Sequence, residues 1–304
     1  MTTSNLSKIR KKKYNSDDVF MAFIYLIIII VLLIIVYPLY FVTIASFSDP
    51  GAVANGEAIL FPKNLNFEGY KYIFEYKLIW QGYKNTIIYT TVGVIINLVV
   101  LMPCAYALSR KDLVFRGPFM MFFVITMYFT GGIVTKFVLI SKLGIMDSMW
   151  ALILPRAVNV FNLIIARTFF MSTVPDELLD SSRIDGATNT QFFIQCVLPL
   201  SKAIIAIMLL RHAIFYWNDY FDGYMFIYTT SKNTLQLTLQ QILIANQVID
   251  MESMEQLDAA MDRAALAALI KYCIIFVSAA PMLILYPFLQ KYFVQGMLIG
   301  AVKG

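Results

Sequence analysis

Residues 19–45 contain no charged side chain. Wound into a helix, this run is about 40 Å long, enough to cross the hydrocarbon core of a bilayer with some tilt. Such a segment must satisfy its own backbone N–H and C=O groups, and a helix does so within itself. Five further apolar runs follow, so the pattern predicts six spans: Val19–Ala45, Thr86–Leu108, Pro118–Val138, Trp150–Phe170, Ser201–Tyr220 and Leu269–Phe293. The chain is 60% hydrophobic and 14% charged. A soluble globule carries about a quarter charged residues, so that class is excluded. The expectation is an all-α polytopic membrane protein. Its parts are a basic N-terminus (1–18), a first span (19–45), an outer loop (46–85), a core (86–293) and a tail (294–304). The core includes a polar loop at 173–200 and an outer loop at 221–263.

Charge sets the expected orientation. Lys8, Arg10, Lys11, Lys12 and Lys13 precede the first span, which is too long for a cleaved signal peptide and reads as a retained anchor. Placing the N-terminus inside puts Arg110, Lys111, Arg116, Arg167, Arg183 and Lys202 on inner loops, with Lys291 and Lys303 in the tail. The outer loops carry Asp49, Glu57, Glu68 and Glu75, then Asp250, Glu252, Glu255, Asp258 and Asp262. Both termini are therefore expected in the cytoplasm of a multi-pass plasma-membrane protein. The net charge of +5 reflects this asymmetry and implies no nucleic-acid partner. Cys104, Cys196 and Cys273 lack metal or disulfide spacing, His212 is the single histidine, and no P-loop is present. No catalytic residue, metal ligand or cofactor is expected.

The most informative stretch is polar. Pro175 to Lys202 reads PDELLDSSRIDGATNTQFFIQCVLPLSK. Thr173 can cap a helix there, Pro175 suits its first turn, and Asp176 and Glu177 complement its positive end. Leu178, Leu179 and Ile184 supply an apolar face, Ser181 and Ser182 permit close approach, and Asp185-Gly186 turns the chain. A second short helix with Phe192, Phe193 and Val197 then returns to the bilayer at Pro199. This stretch resembles the EAA loop of binding-protein-dependent ABC importers. Asp180, Ser181 and Ser182 stand for Glu-Ala-Ala, while Gly186, Leu198 and Pro199 keep the spacing residue for residue; Cys196 replaces the usual Ile. The block Tyr216-Trp217-Asn218-Asp219 and the ending FLQKYFVQGMLIGAVKG are similar to the permeases of carbohydrate uptake, the maltose-importer type.

That resemblance implies a type I ABC importer permease fold with a cytoplasmic coupling helix. It implies a heterodimer with a second permease, two ATPase subunits and an extracellular lipid-anchored binding protein. ATP and Mg²⁺ would sit on the ATPases, so this chain is a transport subunit and not an enzyme. Glu177, Asp180, Ser181, Ser182, Asp185, Gly186, Leu198 and Pro199 would couple to the ATPase, and Thr229, Ser231, Asn233 and Gln236 would meet the binding protein. A permease of the same fold for a non-sugar solute, or a stand-alone secondary transporter, is the alternative. The second would want intramembrane acids, and the spans are nearly free of them before Asp219.

Polar residues inside the spans are candidates for a sugar path: Asn97, Tyr128, Asn159, Asn162, Tyr216, Trp217 and Asn218. Each Asn also reads as a bond between helices, the reading to be preferred for any one of them taken singly. Arg211 stands near the middle of its span, where a charge costs about 2.5 kcal/mol or more. Two readings are open for it: a clamp for an acidic sugar, or an ion pair with the partner permease.

Overall fold

The computed structural model describes residues 16–252 and 267–287. The basic cluster at Lys8–Lys13, the later part of loop 221–263, the end of the predicted last span and the tail lie outside the described residues. Among those described, the regular structure is helical and there is no strand. The chain divides into two compact units, residues 1–67 and 68–304.

The first unit holds α1 (Ser16–Ser46) and α2 (Pro50–Ala54). No residue in the apolar window of α1 is buried, as suits a helix facing lipid. Asp49 caps α2 by accepting from the Ala52 amide at 3.1 Å. The segment beyond α2 folds back, with the Tyr40 hydroxyl donating to the Leu60 carbonyl at 2.6 Å.

The second unit begins with α3 (Glu68–Glu75) and α4 (Lys77–Ser109). The latter starts ahead of Thr86 because Leu78, Ile79, Trp80 and Tyr83 continue the helix beyond the uncharged run. Then come α5 (Arg116–Tyr128) and α6 (Gly132–Lys142), followed by α7 (Met149–Ile153), which tightens into a 3₁₀ turn at Leu154–Arg156, and α8 (Val160–Thr173). The polar loop forms α9 (Asp176–Ile184), α10 (Asn189–Phe192), a π turn at Phe193–Val197 and α11 (Leu198–Leu200). The last elements are α12 (Lys202–Trp217), α13 (Phe221–Phe226), α14 (Leu235–Glu252) and α15 (Ala267–Pro287).

Among the described residues three predicted spans are thus continuous long helices (α1, α4, α15), and two are bent pairs (α5 with α6, α7 with α8). The fifth, Ser201–Tyr220, is α12, set at an angle to the polar loop that leads into it. Each bend has a local cause. The 110° bend between α5 and α6 falls at Gly131-Gly132, where Gly132 takes φ +71°. The 49° bend between α7 and α8 follows Pro155, and Asn159 starts a fresh helix by accepting from the Asn162 amide. The 81° bend before α12 follows Pro199, which offers no N–H to the preceding turn; that turn widens to π.

The core joins α4, α8, the polar loop and α12 through Leu101, Ala105, Leu163, Phe170, Phe192 and Met208. Lipid is as apolar as these side chains, so close packing and interhelical hydrogen bonds hold them rather than expulsion of water. The bonds are present: the Asn97 amide donates to the Arg156 carbonyl at 2.9 Å, and the Tyr83 hydroxyl to that of Val277 at 2.6 Å.

Candidate functional site

The polar loop is an elbow. Thr173 does not cap α9: it ends α8, and Pro175 stands at the N-cap with no side-chain acceptor. Asp176 and Glu177 occupy the first turn as expected. At the far end the Gly186 amide donates to the Arg183 carbonyl at 3.1 Å and the Ala187 amide to Ser182 at 2.9 Å. This pair of bonds is a Schellman stop, and Gly186 supplies its left-handed residue at φ +78°. Thr188 and Gln191 form a capping box that starts α10.

One face of α9 is anchored and the other is free. Leu178 and Leu179 pack on the core. Glu177, Asp180, Ser181 and Ile184 recur at helical spacing and are all exposed, Ile184 at 87%. The hydroxyls of Ser181 and Ser182 turn back onto the carbonyls of Leu178 and Leu179, leaving a smooth surface. Leu198 and Pro199 lie on the return toward α12, and Cys196, in place of Ile, packs partly buried against the core.

The end of α4 grips this elbow. Tyr106 stacks on Phe193 at 5.2 Å and meets Phe170 edge-on. Arg110 donates to Tyr106 and to Asn189, Lys111 reaches Asp176 at 2.6 Å, and Asp112 takes both Arg110 and Arg183, the latter at 2.7 Å. The hydrogen bond from Arg110, aided by Arg183 and opposed by burial, holds the Asp112 carboxyl well below the usual carboxylate range.

A cavity of about 460 Å³ opens at the break between α7 and α8. Of the predicted path residues it gathers Asn159, Asn162 and Arg211. It adds Arg156, His212 and Phe215, which sequence reasoning missed. Arg156 is fully engaged, 3.1 Å from Asp219 and 2.6 Å from Asp222, which also takes Lys136 at 2.5 Å; its guanidinium lies 4.5 Å from the Phe215 ring centre. Arg211 is not so engaged. Its Nε donates to Asn162 Oδ1 at 2.8 Å and its guanidinium lies over Phe161, yet no carboxylate pairs with it among the described residues. Asn97 and Tyr216 sit behind the wall, bonded to each other at 3.4 Å. Trp217 donates to the Ser278 carbonyl and Asn218 to that of Ile214, while Tyr128, exposed at the end of α5, does not line the cavity.

No family model matches the chain. It is 37% identical over 271 residues, 88% of its length and 93% of the relative's, to the polygalacturonan/rhamnogalacturonan transport system permease protein YtcP of Bacillus subtilis. This is a carbohydrate ABC-importer permease. Protein LplC of the same organism is 34% identical over 88% of the chain and 90% of that protein, and its maltodextrin transport system permease protein MdxG is 26% identical over 92% and 95%. The crystal structure of a bacterial ABC transporter involved in the import of the acidic polysaccharide alginate aligns at TM-score 0.80 and 29% identity, covering 92% of this chain and 99% of that one. The permease is a multi-pass membrane protein and a transport subunit rather than an enzyme.

At the end of the permease opposite the elbow, Asp147 ties down the segment after α13. It accepts from the amides of Tyr228 and Thr229, from the Thr229 hydroxyl at 2.7 Å and from Lys232 at 2.6 Å. Burial raises the Asp147 carboxyl, but the bonds from Lys232 and Thr229 outweigh it and hold it below its ordinary range. Of the four residues expected on a docking surface here, Ser231 is exposed and Thr229 is half-buried against Asp147. Asn233 is buried and donates to Gln241, so its side chain serves the fold. Gln236 lines a separate cavity with Asn218.

Proposed function

We propose that this permease carries acidic oligosaccharides, and that Arg211 meets the sugar carboxylate during passage. The observation that carries this reading is a membrane-embedded guanidinium, facing a cavity, with no acid to pair with among the described residues. Such a charge costs about 2.5 kcal/mol or more, and an anionic cargo offsets that cost at each turnover. Arg presents a planar fork suited to a carboxylate. The sugars for which two similar transporters are named, polygalacturonan/rhamnogalacturonan and alginate, support the same class.

In the working complex the chain pairs with a second permease, over two ATPase subunits that hold ATP and Mg²⁺. An extracellular lipid-anchored binding protein delivers the sugar. Both termini and the elbow face the cytoplasm. The exposed face of α9 (Glu177, Asp180, Ser181, Ile184) seats in an ATPase groove, where small Ser and apolar Ile allow contact and Asp180 accepts hydrogen bonds. Closure of the ATPases moves the elbow, and the cavity changes the side to which it opens. Ser231 and its exposed neighbours meet the binding protein.

The test is Arg211→Met in the assembled importer, with uptake of an oligogalacturonide compared with its methyl ester. Losing a charge-assisted bond of about 1.5–3 kcal/mol raises the KM for the acid by about 10- to 150-fold and leaves the ester and the complex yield unchanged. A fall in yield instead assigns Arg211 to an acid on the partner permease, since a stranded buried charge weakens the heterodimer by about 3–5 kcal/mol. Equal losses for acid and ester also refute the reading.

A further inference from the structure

His212 and Asn162 form a relay whose proton positions are dictated by Arg211. A guanidinium only donates, so the oxygen that accepts from Arg211 Nε at 2.8 Å must be Asn162 Oδ1. That fixes the amide, and Asn162 Nδ2 then points at His212 Nε2, 3.2 Å away. The amide nitrogen donates, so Nε2 must be bare. The ring proton therefore sits on Nδ1, where it is donated to the Met208 carbonyl at 2.7 Å. Both side chains are buried, His212 to 2% exposure and Asn162 to 5%. The Asn162 backbone is pinned as well, its amide held by Asn159 Oδ1 at 3.0 Å.

We infer that His212 is a positioning residue for the substrate. As its neutral Nδ1–H form it holds the Asn162 amide with Oδ1 toward Arg211, which engages Nε and leaves both terminal nitrogens of the guanidinium for the carboxylate of the sugar. The guanidinium carbon also lies 5.5 Å from the centre of the Phe161 ring, within cation–π reach. Among the described residues the terminal nitrogens have no hydrogen-bond partner, and Arg211 lines the cavity. Without the imidazole acceptor the Asn162 amide is free to turn over, presenting N–H to N–H at Arg211 and releasing the fork from its aim. The inference rests on the reading of Arg211 as the carboxylate contact.

The experiment uses the whole importer in proteoliposomes, with an oligogalacturonide and its methyl ester as probes. His212→Leu removes the acceptor; the KM for the acid should rise about tenfold, equivalent to about 1.4 kcal/mol, while the maximal rate and the ester are little changed. His212→Gln, whose Oε1 accepts from Asn162, should restore most of the loss. In an Arg211→Met background His212→Leu should add nothing, because a residue acting through Arg211 has nothing left to position. An unchanged KM for the acid in His212→Leu, or the same factor reappearing in the Arg211→Met background, overturns the relay. So do equal losses for acid and ester that Gln does not rescue. If the Leu variant fails to assemble, His212→Phe keeps a ring without nitrogens and is judged by the same outcomes. Arg211→Met alone decides the underlying reading: selective loss there with no effect at His212 rejects the relay and leaves the carboxylate contact standing.

Discussion

Gly186→Ala isolates what the elbow requires of its backbone. Among the described residues, and apart from its two chain neighbours, no atom lies within 4 Å of where the new Cβ would stand, so there is no packing collision to consider there. The whole cost is conformational. Gly186 sits at φ +78°, and a non-glycine residue in the left-handed region costs about 1–2 kcal/mol. That lowers the population of the closed elbow by a factor of about 5–30 relative to its open alternatives. Opening it breaks the Gly186–Arg183 and Ala187–Ser182 bonds and re-aims Ile184 and Asp180, the exposed residues of α9. Asn enters the left-handed region more readily than Ala. Gly186→Asn should therefore do less damage than Gly186→Ala although it is larger. Gly186→Asp shares the backbone tolerance of Asn, so any further loss it shows is electrostatic, from a third acid beside Asp180 and Asp185. The assay is ATP hydrolysis by the reconstituted importer, stimulated by sugar-loaded binding protein, with complex yield measured alongside. The expected order is wild type, Asn, Ala, with yield constant. If Ala equals or exceeds Asn, partner contact and not chain conformation sets the requirement, and the Schellman argument fails.

At the same elbow, Asp112→Asn should speed hydrogen exchange in α9 only modestly. Asp112 and Arg183 are 47% and 49% exposed, and screening holds such a pair below about 1 kcal/mol. Because the Asp112 carboxyl titrates below its ordinary value, its contribution is complete above about pH 4 and is lost as pH falls beneath that. Exchange protection of α9 from this source should stay flat between about pH 5 and 8; a step inside that window contradicts the assignment. At the other end, Asp147→Asn should loosen residues 228–232 less than Asp147→Ala. Asn keeps an acceptor and tolerates the φ of +53°, whereas Ala loses every side-chain bond, keeping only the backbone bonds to Lys232 and Phe226, and adds about 1–2 kcal/mol of backbone cost. Limited proteolysis of the assembled complex reads the difference, and equal cleavage of the two variants would count against the latch.

The spans were legible because a bilayer imposes a long-range compositional rule, and windows of apolar residues report it directly. The bends were not. Gly131-Gly132 and Pro155 change one or two residues in runs whose mean hydropathy hardly moves, yet they turn two of the six predicted spans into angled pairs, and Pro199 bends the chain just ahead of a third. The elbow was legible in finer detail, since Asp176, Glu177 and Gly186 act through local backbone chemistry that needs no knowledge of distant neighbours. Thr173 failed for a local reason too: α8 runs on to include it, so Pro175 takes the cap position. Asn233 misled because polarity in a loop reads as surface, whereas here it binds Gln241 inside the fold.

Arg211 and Arg156 show where a single sequence stops informing. Both line one cavity, and each is a charge the membrane opposes. Arg211 stood out because its span is otherwise uncharged between Lys202 and Asp219. Arg156 did not, although its partners Asp219 and Asp222 were in plain view, because pairing across more than sixty residues is a fact of the fold. The sequence displays the cost of a buried charge and conceals whether that cost is met. Once folded, Lys136 and Arg156 balance Asp219 and Asp222, two against two, and the cavity wall is left with Arg211 as its unbalanced cation among the described residues. The proposed preference for an acidic sugar therefore rests on the contrast between the two arginines. An acid that reached the cavity would compete with two carboxylates for Arg156, but would meet only a neutral amide at Arg211.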